Sequence, residues 1–237
     1  MTKLTQDQLN EMLNSGCKDL RNMDLTGLNL SGTDLTGVDL TGADLTDAEL
    51  LRADLIWANL TGANLRECNL TMANLTRANL TVANLTGVDL YRANLTRADL
   101  SRADLTEANL TEADLSRANL RGAKLTGADL TEAKLTWANL ADADLSRANL
   151  TRANLREANL TESDLSRAKL TGAKLTGADL TGADLTEANL TGADLTRANL
   201  TDADLSRPNL SWAVINEKWK EYIEKCDLNT SKIKWIK

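Results

Sequence analysis

Leucine occupies every fifth position of the chain from Leu20 through Leu210, thirty-nine positions without an exception. The unit around each leucine reads Ala-(Asp/Asn)-Leu-(Thr/Ser)-x. On an α-helix a step of five residues turns through about 140°, so these leucines would wind around the helix without forming an apolar stripe. On a straight strand an odd spacing would place successive leucines on opposite faces. Neither regular element can bury all of them.

One bend in each unit removes the conflict. Ala and Leu, two residues apart, then point inward together, Asp/Asn between them points outward, and Thr/Ser with the variable residue forms an exposed corner. Each unit becomes one short side of a closed coil, and stacked coils satisfy each other's backbone groups at a spacing of about 4.8 Å. The inward Ala must be small because its equivalent in the next coil lies directly above it. The residues alone leave the number of sides open.

The repeated unit resembles the pentapeptide-repeat proteins over about four-fifths of the chain. The resemblance implies an all-β solenoid, a right-handed quadrilateral parallel β-helix with four units per coil, so that residues twenty apart stack. We expect an N-terminal capping helix over residues 1–17, the β-helix over 18–212, and a C-terminal helix with a basic tail over 213–237. Short α-helical caps would then close both ends.

The two ends carry different signals. Thr5 followed by Gln8 is typical of a helix capping box. Near the C-terminus, apolar residues follow helical spacing and form either a lid over the last coil or a dimer contact, as some family members dimerise through a C-terminal helix. These residues are Ile215, Trp219, Tyr222 and Ile223. The chain is therefore expected to be a monomer or a homodimer joined by this helix.

Composition narrows the function. The chain contains no His, and no phosphate-binding loop or metal-ligand motif occurs, so we expect no enzymatic activity, catalytic residue, metal or cofactor. A net charge of −7 argues against direct binding to nucleic acid, and no apolar run is long enough to cross a membrane. Three widely separated cysteines, Cys17, Cys68 and Cys226, suit reduced thiols in the cytoplasm.

With twenty residues per coil, two surface columns stand out. The first combines stacked Arg with Trp at both ends and suits an acidic or aromatic protein partner; the alternative is a solvated face whose charges Asp99 and Asp114 offset. Its members are Trp57, Arg77, Arg97, Arg117 and Trp137. The second is acidic and consists of Asp142, Asp144, Glu162, Asp164, Asp184, Asp202 and Asp204.

The acidic column admits a second interpretation, because some members of the resembled family protect DNA gyrase by mimicking duplex DNA. Arg147, Arg167 and Arg207 flank this column. Some of these DNA-mimicking members carry loops that project from the coils, and the uninterrupted repeat here, which leaves no such loop, argues against mimicry. We therefore predict a cytoplasmic, non-enzymatic structural or protein-interaction scaffold whose partner the sequence does not identify. The alternative is a DNA-mimicking inhibitor or protector of DNA gyrase or another topoisomerase.

Overall fold

The computed structural model describes residues 2–226 and 231–237, so residues 227–230 of the expected C-terminal region lie outside it. Parallel β-bridges join residues twenty positions apart along the repeat, from Asp19↔Asp39 to Asn189↔Asn209. Because each unit has five residues, every coil contains four units. The chain is a β-helix in which each coil stacks on the one before it.

The interior is a continuous column of leucine and small side chains. The leucines at every fifth position from Leu20 through Leu210 are at most 5% exposed, and the alanines two positions before them are buried as well. The Asp/Asn residue between them stays at the surface. The expectation of one shared interior is confirmed. Each buried leucine contributes roughly 1.5–3 kcal/mol, which the entropy of ordering five backbone residues opposes.

Backbone hydrogen bonds between coils supply the rest of the stabilisation. In the unit 93–97, Asn94 N–H donates to the Ala73 carbonyl at 2.9 Å, and Leu95 N–H donates to the Asp114 carbonyl at 2.7 Å. Arg97 N–H donates to Ser116 at 3.1 Å. Each coil is therefore held by its two neighbours, and stability is of the nearest-neighbour kind.

The corner of each unit is a β-turn whose second central residue has a positive φ. Ala98 N–H donates to the Leu95 carbonyl at 2.9 Å, and Arg97 between them has φ 60°. A positive φ at this position alone is the signature of a type II turn, which normally requires Gly. Here Arg, Glu, Asp and Trp together occupy it more often than Gly does. Their side chains project from the corner into solvent, and the inter-coil ladder holds the strained backbone in place.

A short helix covers the first coil. Strand β1 (Thr2–Lys3) pairs in parallel with β2 (Met23–Asp24), and helix α1 (Gln6–Asn14) begins with the capping box of Thr5 and Gln8. Leu9 of this helix is completely buried.

The first coil has no coil before it, and a side-chain amide replaces the missing backbone groups. Gln6 Nε2 donates to the Asn29 carbonyl at 2.9 Å, and Gln6 Oε1 accepts the Asn29 N–H at 2.8 Å. One glutamine therefore satisfies both backbone groups of Asn29 at the exposed end.

The C-terminal end adds strands as well as a helix. Strands β3 (Asp194–Leu195), β4 (Val214–Asn216) and β5 (Lys234–Ile236) form a parallel sheet in that order. A 3₁₀ helix (Glu217–Trp219) and helix α2 (Lys220–Lys225) lie between β4 and β5.

One expectation for this end was wrong. Ile215 lies in strand β4 and not in a helix, because it continues the leucine column five residues after Leu210 and is completely buried. The expected basic tail contains strand β5, in which Lys234 pairs with Val214 in the same twenty-residue register as the coils.

Candidate interaction surfaces

Five residues form a straight column along one corner of the rod. Each is the second corner residue of its unit, and each lies twenty positions from the next, on consecutive coils. At a coil spacing of about 4.8 Å the column is about 19 Å long. We call it the Arg–Trp stripe: Trp57, Arg77, Arg97, Arg117 and Trp137.

Each end of the Arg–Trp stripe is a tryptophan ring stacked on an arginine. The Arg77 Cζ atom lies 4.6 Å from the centroid of the Trp57 ring, and Arg117 Cζ lies 4.7 Å from that of Trp137. The two tryptophans nevertheless remain 58% and 55% exposed. A cation–π contact at an exposed site contributes about 0.5–1 kcal/mol, enough to orient the ring. The stripe therefore presents two oriented aromatic surfaces.

The centre of the Arg–Trp stripe is the cation of Arg97. Arg77 and Arg117 lie over the outer tryptophans, and among the described residues Arg97 forms no ion pair. Its guanidinium is free to bind an external carboxylate, which it can do through two parallel hydrogen bonds.

The two carboxylates expected to offset these charges are engaged elsewhere. Asp99 Oδ1 accepts hydrogen bonds from Ser101 N–H at 2.9 Å and from the Asn119 side chain at 3.1 Å. Asp114 pairs with Lys134 at 3.4 Å. Burial pushes the pKa of Asp114 upward, but its bonds to Ser116 and Lys134 outweigh this and hold the pKa below its usual value. Both carboxylates therefore have local partners, and among the described residues neither forms an ion pair with an arginine of the stripe.

Most other polar side chains on the coils are bonded to one another. Asn64 Nδ2, for example, donates to Asp44 Oδ1 at 3.1 Å and to Thr46 Oγ1 at 2.7 Å in the preceding coil. Such Asn ladders recur at most positions where Asn follows Asp or Asn twenty residues later, a signal present in the sequence that the sequence reasoning missed. Arg97 shares the lack of an ion pair among the described residues with other corner arginines such as Arg102 and Arg147, and it differs from them by its place between two Trp–Arg stacks.

The acidic column lies along a different side of the rod. Asp144, Asp164, Asp184 and Asp204 are joined by successive bridges, so their carboxylates follow each other at about 4.8 Å. The corner members of the column, two residues earlier in the chain, are Asp142, Glu162 and Asp202. The structure thus places these seven acids side by side.

Local hydrogen bonds and cations moderate this negative charge. Burial raises the pKa of Asp144, yet bonds from Ser146 and Thr126 outweigh it, so the pKa lies below its usual value and the group stays ionised. Asp142 pairs with Arg121 at 3.0 Å. Arg167, on the neighbouring corner, bonds Glu187 at 2.9 Å. The column is therefore an acidic surface with cations on its edge.

Of the four C-terminal candidates, Ile215 belongs to the stacked coils through strand β4, and the other three lie in the helical segment that follows. Ile215 and Ile223 are completely buried within the chain. The Trp219 indole N–H donates to the Ala198 carbonyl at 3.1 Å, and the Tyr222 hydroxyl donates to the Ala203 carbonyl at 2.6 Å. Burial raises the pKa of Tyr222 above its usual value, so the hydroxyl keeps its proton. The side chains of Trp219 and Tyr222 thus supply donors to carbonyls of the last coil.

The remaining features offer little chemistry. An open groove of about 500 Å³ lies over Gly122, where long side chains flank a glycine corner. All three cysteines are free thiols, and burial raises the pKa of Cys68 to about 12, so this thiol is not ionised at neutral pH. Across residues 2–226 and 231–237, no cluster of three metal-ligating side chains occurs, and no helix has the length and apolar character to span a membrane.

A family model described as "Pentapeptide repeats" matches the chain in eight copies, in segments that together cover residues 19–177 and 183–216. HetL, a pentapeptide repeat protein involved in heterocyst differentiation regulation in the cyanobacterium Nostoc sp. strain PCC 7120, is 34% identical. The match covers 88% of this chain and 96% of HetL, with a TM-score of 0.40.

Two further solved structures are similar. A trypsin-treated variant of QnrB1, a plasmid-mediated fluoroquinolone resistance protein, is 22% identical over 85% of this chain and 96% of its own, with a TM-score of 0.56. A protein of the Arabidopsis thaliana thylakoid lumen is 38% identical over 40% of this chain and 66% of its own, with a TM-score of 0.40. No curated protein sequence matches the chain.

Proposed function

Because this chain belongs to the pentapeptide-repeat family, we propose that it is a non-enzymatic protein-interaction scaffold whose Arg–Trp stripe binds an acidic protein partner. One observation carries the proposal: Arg97, unpaired among the described residues, stands between two oriented Trp–Arg stacks. Trp and Arg are the residue types that dominate the binding energy of protein interfaces.

The rigidity of the support favours binding. All five members of the stripe are fixed by the turn and ladder bonds of five stacked coils, so little backbone entropy is lost when a partner docks. Three arginines close together attract an acidic surface in spite of the chain's net negative charge, because complementarity acts over about a Debye length.

The finer description of the molecule is also a proposal. We propose a right-handed coil of square cross-section over residues 18–212, capped by residues 1–17 and 213–237. Buried Leu9 and the bonds of Trp219 and Tyr222 to the last coil support the caps. The burial of Ile223 supports a lid and hence a monomer, and the free thiols support a cytoplasmic location.

A comparative affinity capture tests the proposed function. The immobilised wild type, the double variant Trp57→Ala/Trp137→Ala and the control Trp212→Ala are exposed to lysate of the source cell, and retained proteins are identified by mass spectrometry. Trp212 is also an exposed corner residue, but it lies on another column. We expect acidic proteins that the wild type and the control retain and the double variant loses. Identical protein sets on all three would contradict the proposal.

A second candidate function is DNA mimicry towards a topoisomerase. The observation in its favour is the regular row of carboxylates at Asp144, Asp164, Asp184 and Asp204 on consecutive coils. A gyrase supercoiling assay tests it, with reversal of all four charges to Lys as the variant and Arg97→Glu as the control. Inhibition or protection that only the four-charge variant loses would support mimicry, and no effect of the wild type at micromolar concentration would exclude it.

A further inference from the structure

We propose that the Arg–Trp stripe binds an extended polyproline II segment, with a proline on each tryptophan and a carboxylate on the central arginine. This inference rests on the proposed function and specifies the backbone conformation of the segment by which the acidic partner binds. It follows from the spacing of the stripe, the exposure of its rings and the free cation at its centre.

The spacing of the stripe matches this conformation. Trp57, Arg97 and Trp137 lie two coils apart, so their side chains are centred at about 0, 9.6 and 19.2 Å along the rod. A polyproline II helix rises about 3.1 Å per residue with three residues per turn, so every third residue faces the same side at about 9.3 Å. Positions one, four and seven of a segment therefore reach all three groups with a cumulative error of about 0.6 Å.

Other backbone conformations fit less well. Side chains on one face of a β-strand recur every ~6.8 Å, which places none opposite Arg97 when the first faces Trp57. Two heptads of an α-helix reach about 21 Å, roughly 2 Å beyond Trp137. A helix is also about 10 Å wide, so its axis would stand far from a stripe that is one residue across.

The ends of the stripe have the chemistry that proline recognition needs. Trp57 and Trp137 are more than half exposed, and each ring is held by the arginine on its inner side. Within the described residues neither indole N–H donates a hydrogen bond, in contrast to that of Trp219. The carbonyls of a polyproline II helix have no internal partners, so they can accept these donors while proline rings pack on the indoles.

The order of side chains in the stripe reads the same in both directions, Trp-Arg-Arg-Arg-Trp. The polyproline II helix has side chains that project similarly whichever end comes first. The stripe therefore accepts the motif Pro-x-x-(Asp/Glu)-x-x-Pro in either chain direction, with the carboxylate of its centre on Arg97.

The test uses the intact chain and three acetylated, amidated peptides, PPPEPPP, PPPQPPP and GGGEGGG, with binding measured by titration calorimetry. We expect PPPEPPP to bind the wild type at least about tenfold more tightly than the other two, since one lacks the carboxylate and the other the preformed helix and the rings. Trp57→Ala, Trp137→Ala and Arg97→Gln should each weaken binding about tenfold.

Matched controls separate the stripe from general effects. Trp212→Ala removes an exposed corner tryptophan on another column, and Arg147→Gln removes an arginine from a corner that is not part of the stripe. Both should bind PPPEPPP as the wild type does. Circular dichroism melts of all variants confirm that the rod is folded, which is expected because every changed side chain is at an exposed corner.

Several outcomes would overturn the inference. Equal binding of PPPEPPP and GGGEGGG would show attraction by charge alone, and tighter binding of oligothymidylate would identify a nucleic-acid surface. Self-association lost on Trp57→Ala, seen by sedimentation, would identify a second copy as the occupant. If affinity capture depends on the stripe while PPPEPPP does not bind, the polyproline II inference fails and the proposed function stands.

Discussion

Equivalent alanine carbonyls find different donors in the middle of the rod and at its C-terminal end. The Ala118 carbonyl accepts the Asn139 backbone N–H of the next coil at 2.9 Å. The Ala198 and Ala203 carbonyls accept side-chain donors, the Trp219 indole and the Tyr222 hydroxyl. In the middle, the repeat supplies the donor whatever the surface residue is. At the end, individual side chains must supply it, so stability there depends on residues that the repeat does not determine.

The largest expected effect comes from breaking the middle. Ala123→Phe places a ring where the equivalent alanines of the adjacent coils, Ala103 and Ala143, lie above and below. We expect at least about 3 kcal/mol of destabilisation, at the upper end of overpacking costs, because the coils cannot separate without losing ladder bonds. Urea denaturation followed by circular dichroism measures it. Ala141→Phe, at a partly exposed corner, is the control and should cost little; similar losses in both would argue against the coil interior.

The next effect tests the end. Tyr222→Phe removes the donor to the Ala203 carbonyl, and leaving that acceptor unpaired should cost about 1–2 kcal/mol. Hydrogen exchange should accelerate in the last coils first, since fraying starts at a free end. Tyr91→Phe is the control, because its hydroxyl makes only a 3.3 Å contact with Glu112 at the surface. Uniform acceleration along the rod would show that the end is not an independent weak point.

A smaller effect tests the corners. Val82 has φ 54°, a conformation that a β-branched residue adopts only under strain, and it is half exposed. Val82→Gly should therefore raise stability by about 1 kcal/mol. Gly62 occupies the same column one coil earlier with φ 63° and open space around its Cα. Gly62→Val should lower stability by a similar amount, and matching thermal shifts of the same sign for both variants would refute the strain.

The smallest effect is expected at the stripe. Arg97→Glu should change the free energy of unfolding by less than about 0.5 kcal/mol, since the described structure shows no ion pair at this residue. Arg92→Glu, which loses a 2.8 Å bond to Glu112 and places two acids together, should cost slightly more. Chemical denaturation compares the two. A large loss at Arg97 would assign it a structural role and weaken its assignment to binding.

The shared apolar interior could be predicted from the sequence, because leucines five residues apart can all point into one interior only if each unit contains a bend. The positive φ at Arg97 and Trp57 could not be predicted, because most type II turns use glycine there and nothing in the residue identity signals the exception. Helical spacing misassigned Ile215, where the leucine column continues. The roles of Trp219 and Tyr222 as donors depend on three-dimensional placement that short apolar patterns do not encode.

The membership of the surface columns could be predicted, but the contacts of their side chains could not. Column membership followed from twenty residues per coil, a number that came from the resemblance and not from the residues. The stacks of Arg77 on Trp57 and of Arg117 on Trp137 agree with the expected Arg–Trp column. The contacts of Asp99 with Ser101 and of Asp114 with Lys134 could not be predicted, because sequence proximity does not reveal them.

The twenty-residue register determines which side chains share a surface column. Inserting a single five-residue unit after Arg97 would leave the interior intact but advance every later corner by one side, so Trp137 would lie on the corner next to the column of Trp57. Removing a whole coil would instead keep all columns aligned and only shorten the rod. The gain or loss of units in multiples of four thus changes the length of the rod. Any other number changes which side chains share a column and contact a partner.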